Sequence, residues 1–463
     1  MNSAIKMGYV IFLSLVAATG GLLFGYDTAV ISGTTDQVAA QFSLDELQLG
    51  WFVGCALIGS IIGVAFAGIL SDRLGRRPTM FISAILFFIS AVGCAIAPDF
   101  NWLVVYRFIG GVGIGVVSIV APMYISEISI PEYRGRLVSC YQLAVTIGFL
   151  AAYLVNYFLE QISHTVAFGN GWMHLVFVSE VWRGMLGMES LPAAIFIAIL
   201  FFIPESPRWY ITRGRDTSAR NVFSHIYTHT ADVDKQIQDT KSTLSSVVKV
   251  AWAELLEPSI LKAVIFGVCI AILGQFMGVN AVLYYGPSIF KEAGIGNPLF
   301  CQVLVGLVNM GTTVIAMLII DRVGRHKLIY YGVGGMILSL LLIAVYFMSP
   351  QSFSVYFMLS FFLFYVFCCA ISISAVVWVL LSEMYPNRVR GLAMSIAGFA
   401  LWIGTYLIGQ LTPWMLAHLT PTGTFLLFAV CCLPYLYIMW KYIPETAGMS
   451  LEDIERYWKK NKE

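Results

Sequence analysis

The chain has 463 residues, of which 59% are hydrophobic and 11% charged, with a formal net charge of +1. A soluble domain of this length cannot bury so large an apolar share, and a charge this close to zero gives no basis for a nucleic-acid surface. The composition is that of an integral membrane protein.

A helix crosses a bilayer with about 20 mostly apolar residues, and runs of that kind recur along the whole chain. Twelve spans are expected, at 8–33, 47–70, 79–97, 101–125, 136–160 and 182–203, then at 258–285, 299–320, 328–348, 355–382, 391–417 and 423–443. They give an all-α membrane protein in four segments: a six-helix bundle over 1–203, a cytoplasmic linker over 204–257, a second six-helix bundle over 258–443 and a cytoplasmic tail over 444–463. The N-terminal run, with Lys6 ahead of it and Ala17-Ala18-Thr19-Gly20 inside it, reads as the first span rather than a cleaved leader, because it continues unbroken to Asp27. Residues 161–179 carry no formal charge, yet His164, Gly169, Asn170, Gly171 and His174 mark an external loop rather than a further span.

Arg73, Arg76, Arg77, Arg134, Arg136, the basic residues between 208 and 249, Arg322, Arg325, Lys327, Arg388, Arg390 and the tail from Lys441 fall on one side of the spans. The cytoplasmic bias of Lys and Arg then puts both termini in the cytoplasm. Lys291 is the clearest basic residue on the opposite side. The nine cysteines lie mostly inside spans, without metal-ligand spacing or a disulfide framework, so no metal site is expected. In the linker, after Pro204-Glu205-Ser206-Pro207-Arg208, residues Val222, Phe223, Ile226 and Tyr227 have helical spacing, and Val233 to Leu244 suits a second short helix. In the tail, Ser450 with Glu452 and Asp453 has the form of a helix start.

A charged stretch occurs twice, as Ser71-Asp72-Arg73-Leu74-Gly75-Arg76-Arg77 and as Ile320-Asp321-Arg322-Val323-Gly324-Arg325-His326. Glu127 and Arg134 before Gly135 likewise match Glu383 and Arg390 before Gly391, and Gly25-Tyr26-Asp27-Thr28-Ala29-Val30 echoes Gly278-Val279-Asn280-Ala281-Val282. Three matches in register, about 250 residues apart, mark a duplicated bundle with a substrate site expected between two related halves. Within the repeat, Asp72 and Asp321 follow helix ends, Gly75 and Gly324 permit a tight turn, and the arginines offer planar donor forks that suit Glu127 and Glu383. The plainer reading of these residues is a set of charges that fixes topology.

An ionisable group inside a span is costly and faces a cavity or a partner. Asp27 is such a group, Arg107 at the start of the fourth span is its candidate partner, and Glu189 in the sixth is a second intramembrane carboxylate. Burial and a neighbouring guanidinium act on a carboxylate in opposite directions. A carboxylate alternately paired with and released from Arg107 therefore suits proton binding and release; the competing reading is a static ion pair.

The motifs GLLFGYDTAVISG (21–33), SDRLGRR (71–77), PMYISEISIPEYRGR (122–136), PESPR (204–208), GQFMGVNAVLYY (274–285), DRVGRH (321–326), SEMYPNRVRG (382–391) and PETAG (444–448) resemble, in order and over essentially the full length, the sugar porters of the major facilitator superfamily. The pattern is similar to that of bacterial proton-coupled xylose symporters and animal glucose facilitators. The resemblance implies a twelve-helix alternating-access carrier that moves a pentose or hexose with a proton, a monomer in the cytoplasmic membrane needing no cofactor. It implies proton coupling at Asp27, Arg107 and Glu189, the position of Asp27 typically being a carboxylate in symporters and an amide in facilitators. It also implies a conformational latch on the cytoplasmic side, formed by Asp72, Arg73, Arg76, Glu127, Arg134, Asp321, Arg322, Arg325, Glu383 and Arg390.

A neutral polyol is met by amides and by flat aromatic faces. By resemblance, Gln142, Gln275, Asn280, Tyr284 and Asn309 match hydrogen-bonding positions, and Phe24, Trp378 and Trp402 match aromatic walls. Six positions depart from the family pattern: Gly274 stands for a glutamine, Ser374-Ala375 for a Gly-Pro break, Leu401 for a polar residue, Thr405 for an asparagine, and Phe149 for a polar residue. Each removes hydrogen-bonding capacity or a helix break and leaves the particular sugar open. The alternatives are a passive sugar or polyol facilitator and a non-transporting sensor. An intramembrane enzyme lacks its constellation, since none of the six histidines pairs with Cys, Asp or Glu at ligand spacing.

Overall fold

The computed structural model describes residues 6–130, 133–165, 171–245, 255, 257–386, 389–446 and 457–458. Among them all regular structure is helical, and 12 helices are long and apolar enough to cross a membrane: Met7–Gly33, Glu46–Leu74, Arg76–Ile96, Phe100–Ile128, Arg134–Thr165, Val181–Phe202, Ile260–Glu292, Pro298–Ile320, Arg325–Met348, Val355–Met384, Arg390–His418 and Thr420–Tyr442. These are the twelve expected spans, most of them extended beyond the apolar run because a helix continues past the hydrocarbon as long as its residues permit. The fifth shows this best. It runs to Thr165, with His164 3.4 Å from Glu160 one turn earlier, and Trp172–His174 and Leu175–Ser179 are also helical turns. The loop expected over 161–179 is shortened accordingly.

Among the described residues after the sixth span are the short helices Pro207–Thr212, Asp216–Ile226 and Thr230–Ser245. The last two are the expected pair, although Tyr227 lies just past the helix end in extended backbone. The first was not foreseen. Ser206 caps it by accepting from the Trp209 N–H, and Pro207 occupies its first turn, where no N–H is required. The helix start expected at Ser450 lies outside the described residues.

The chain divides into two compact units, one of Met1–Val30, Ile58–Val155 and Leu159–Lys249, the other of Ile31–Leu57, Asn156–Phe158 and Val250–Glu463. In the first, spans one and five cross at backbone contact: a Cβ on Gly148 would lie 2.1 Å from the Leu22 carbonyl, and one on Gly25 2.0 Å from that of Val145. In the second, the spans are interrupted. Span seven breaks between Pro258–Phe276 and Val279–Glu292, where Gly278 takes a left-handed φ of 92°. The Phe428 ring fills the space a side chain would need there, and the Tyr365 hydroxyl donates to the Met277 carbonyl at 2.7 Å. Span ten lacks the Gly-Pro break of its relatives by pattern, yet it widens into one π-helical turn over Ala370–Ser374, the kind of irregularity that clusters at functional sites.

Prolines inside spans also free carbonyls, because each removes the N–H that would bond four residues back, and two of the carbonyls so freed are taken by a neighbouring span. Pro287 frees that of Leu283, which the Gln302 amide takes at 3.2 Å from span eight. Pro413 frees that of Gly409, which the Tyr285 hydroxyl takes at 2.7 Å from span seven. Lipid offers no donor to a carbonyl left bare. Tyr285→Phe is therefore expected to cost about 1 kcal/mol, read as a lower Tm in detergent. The cost should shrink in a Pro413→Ala background, where the restored N–H takes the carbonyl; an undiminished cost there would refute this role.

Candidate functional site

The first unit brings together the three charges expected to act as a group. Asp27, one turn before the first helix tightens into the 3₁₀ turn Ile31–Gly33, is fully buried, at 0% exposure. Its Oδ1 pairs with Nη1 of Arg107 from span four, which is 2% exposed. The same nitrogen lies 3.4 Å from the Asp27 carbonyl. Gly110, one turn beyond Arg107, makes room for the carboxylate: a Cβ there would sit 2.8 Å from Asp27 Oδ2. Glu189, also 2% exposed, lies in the turn between Val181–Gly187 and Ser190–Ile199 of span six and feels the charges of both Asp27 and Arg107. Asp27 Oδ2 and Glu189 Oε1 are sealed in without a hydrogen-bond partner among the described residues. Two carboxylates and one guanidinium are thus buried in one region, and one added proton brings their summed charge to zero.

Of the expected sugar ligands, the second unit clusters those around the break in span seven. Asn280 Nδ2 donates to Gln275 Oε1 at 2.7 Å, and Thr405 of span eleven reaches the same oxygen at 3.1 Å. Tyr284 is buried near Gly409, Trp402 is buried, and Trp378 is exposed with its ring edge beside Gly398. Asn309 is half-buried, and its side chain makes no hydrogen bond among the described residues. In the first unit Phe24 is half-buried and Gln142 exposed, next to the Tyr141 ring that packs on Gly21. Phe149, one of the departures, is buried and edge-on to Tyr153.

The charged repeats form matching networks, one in each unit. Arg76 donates through Nε and Nη2 to Glu127 at 2.9 Å each and through Nη1 to Asp72 at 3.1 Å. Arg325 holds Glu383 in the same two-pronged way, at 3.1 and 2.7 Å. Arg73, Arg134 and Arg322 are exposed and form no ion pair among the described residues. Arg390 donates to the Tyr385 carbonyl at 3.3 Å, and the Asp321 side chain lies outside the description. Two functional carboxylates were missed from sequence. Glu205 accepts from the backbone N–H of Arg76 at 2.9 Å, of Arg77 at 3.1 Å and of Ser206 at 2.7 Å. Glu445 accepts from those of Arg325 at 3.1 Å and His326 at 2.9 Å. The neighbouring hydroxyls close each ring, Ser206 on Glu127 and Thr446 on Glu383, both at 2.5 Å. Pro-Glu-Ser at 204–206 and Pro-Glu-Thr at 444–446 were the available signal.

Twelve helical spans with paired charged turns and charges buried among the first, fourth and sixth spans define a carrier of the major facilitator fold. The inward open conformation of the xylose transporter XylE from Escherichia coli matches with a TM-score of 0.83 and 34% identity, over 97% of this chain and 100% of that one. The model of the family described as "Sugar (and other) transporter" matches residues 13–458, and the chain belongs to that family. It is 36% identical to the D-xylose-proton symporter of Escherichia coli (strain K12), over 99% of this chain and 97% of the relative. It is equally 36% identical to the glucose transporter GlcP of Staphylococcus epidermidis, over 96% of each.

Glu205 and Glu445 act as caps on the helices that begin at Arg76 and Arg325, where N–H groups have no partner within the helix. Glu205→Ala and Glu445→Ala are each expected to lower stability by about 1–3 kcal/mol, seen as a reduced Tm. An alanine variant at either position that melts with the parent would refute the capping role.

Proposed function

We propose that the protein is a proton-coupled monosaccharide symporter working by alternating access. The observation that carries this reading is the buried group of Asp27, Arg107 and Glu189, with two carboxylates, one guanidinium and an unpartnered oxygen on each acid. Such a group can take up one proton and give it back as Arg107 changes partner, which a passive channel for a neutral solute does not need. The names of the relatives, a D-xylose-proton symporter and a glucose transporter, support a pentose or hexose as the solute.

In this reading Gln275, Asn280 and Tyr284, with Gln142, Asn309, Phe24, Trp378 and Trp402, bind the sugar through amides and aromatic faces. The six-helix halves over 1–203 and 258–443 rock about that site as bodies. Both termini face the cytoplasm, as the Lys and Arg bias favours, and a single chain in the cytoplasmic membrane is the working unit. The Arg76–Glu127 and Arg325–Glu383 networks hold one end state and loosen in the other.

In proteoliposomes under a pH gradient, D-xylose, D-glucose and D-galactose are tested in turn for sugar-driven proton uptake. Asp27→Asn is expected to abolish accumulation against a gradient while leaving sugar exchange; retained accumulation would eliminate Asp27 as the coupling group. Glu383→Gln should raise the labelling of cysteines placed at the cytoplasmic ends of spans four and ten. Unchanged labelling would remove the latch role.

A further inference from the structure

One amide in the second unit is held at three points. Gln275 stands two residues before the Met277-Gly278 break, and its stem lies on span eleven where Gly404 has no side chain: a Cβ there would come within 3.2 Å of Gln275 Cβ and Cγ. Its Oε1 faces both Asn280 Nδ2, at 2.7 Å, and the Thr405 hydroxyl, at 3.1 Å. Thr405 is 5% exposed and also lies 3.0 Å from the Leu401 carbonyl, so that one hydroxyl proton is shared between a main-chain and a side-chain acceptor.

A side-chain amide carries two acceptor lone pairs on oxygen and two N–H donors on nitrogen. On Gln275 both lone pairs are engaged, whereas Nε2 has no partner among the described residues and the residue is half-buried. Gly274 precedes it, so no second amide stands beside it to offer an acceptor. An amide free to turn over presents either end to a hydroxyl. This one is fixed.

We propose that Thr405 is a positioning residue that makes Gln275 a donor-only contact, so that the sugar hydroxyl it meets is recognised as an acceptor. The inference rests on the reading that Gln275 faces the sugar. It specifies a discrimination that a hydrogen-bonding site without the lock does not have. Replacing that hydroxyl by fluorine keeps an acceptor of similar size, and replacing it by hydrogen removes the acceptor.

The experiment measures binding of D-xylose, D-glucose and their monodeoxy and monofluoro derivatives to the purified full-length protein by calorimetry. One ring position is expected at which the fluoro sugar binds like the parent and the deoxy sugar binds about two- to tenfold more weakly. Thr405→Val should close that gap, and Thr405→Ser, which restores the hydroxyl, should reopen it. If fluoro and deoxy sugars behave alike at every position, or if Thr405→Val leaves the gap intact, the positioning role is overturned while the sugar site stands. If Gln275→Ala leaves the affinity for both parent sugars unchanged, Gln275 is not a sugar ligand, and the inference falls with that reading.

Discussion

The pair of Asp27 with Arg107 is the constraint around which the first unit is arranged. Taking two ions out of water costs several kcal/mol each even after relaxation, and a span offers no water to share the charge. The chain answers locally. Gly110 withdraws its side chain to admit the carboxylate, and Glu189 is delivered to the same place by a turn within span six. A purely structural ion pair would be completed by donors to the second oxygen. Here Asp27 Oδ2 and Glu189 Oε1 have no such donor among the described residues, which is the feature on which the proposed proton exchange rests.

The same rule, that no polar group is left bare in hydrocarbon, governs the second unit through its backbone. Three of the interruptions there have an answering side chain on a neighbouring span: Tyr365 at the break in span seven, Gln302 at the carbonyl freed by Pro287, and Tyr285 at that freed by Pro413. Interrupted helices bend more readily than continuous ones, and they also display amides and carbonyls that a regular helix hides. Placing Gln275 and Asn280 on either side of the break serves both ends. The break turns two residues that are far apart in a regular helix register into hydrogen-bond partners, and their shared contact with Thr405 ties the bend in span seven to span eleven.

Much of this was legible in the sequence. The twelve spans follow from the length of apolar runs, and Asp27, Arg107 and Glu189 stand out because charge is rare inside such runs. Less legible was anything decided by helix phase or by long-range return of the chain. Arg73 and Arg76 look equivalent in sequence, but Arg76 opens a helix after the left-handed Gly75 and turns inward, while Arg73 ends one and faces out. Glu205 was visible as part of a motif, yet nothing local shows that its carboxylate closes on N–H groups at 76 and 77. Gln302 is a similar case. An amide in a span suggests a substrate ligand, and its real work, replacing the N–H that Pro287 lacks, appears once spans seven and eight are side by side. The π-helical turn of span ten has no sequence signature to replace the missing Gly-Pro.

The two charged networks bear on how such a bundle moves. An exposed ion pair contributes about 0–1 kcal/mol and yields easily. These are different in kind: each is a two-pronged guanidinium–carboxylate contact, partly withdrawn from solvent and braced by a second carboxylate that grips the adjacent backbone. Charge-assisted, two-pronged bonds are the stronger class, and both partners of each lie within one unit. Loosening Glu127 from Arg76 therefore exposes the start of span three as well as an ion pair, because Ser206 and Glu205 bind on either side of that contact. The network's contacts share side chains, so the loss of one weakens its neighbours, and the ends of several helices depend on the same few groups.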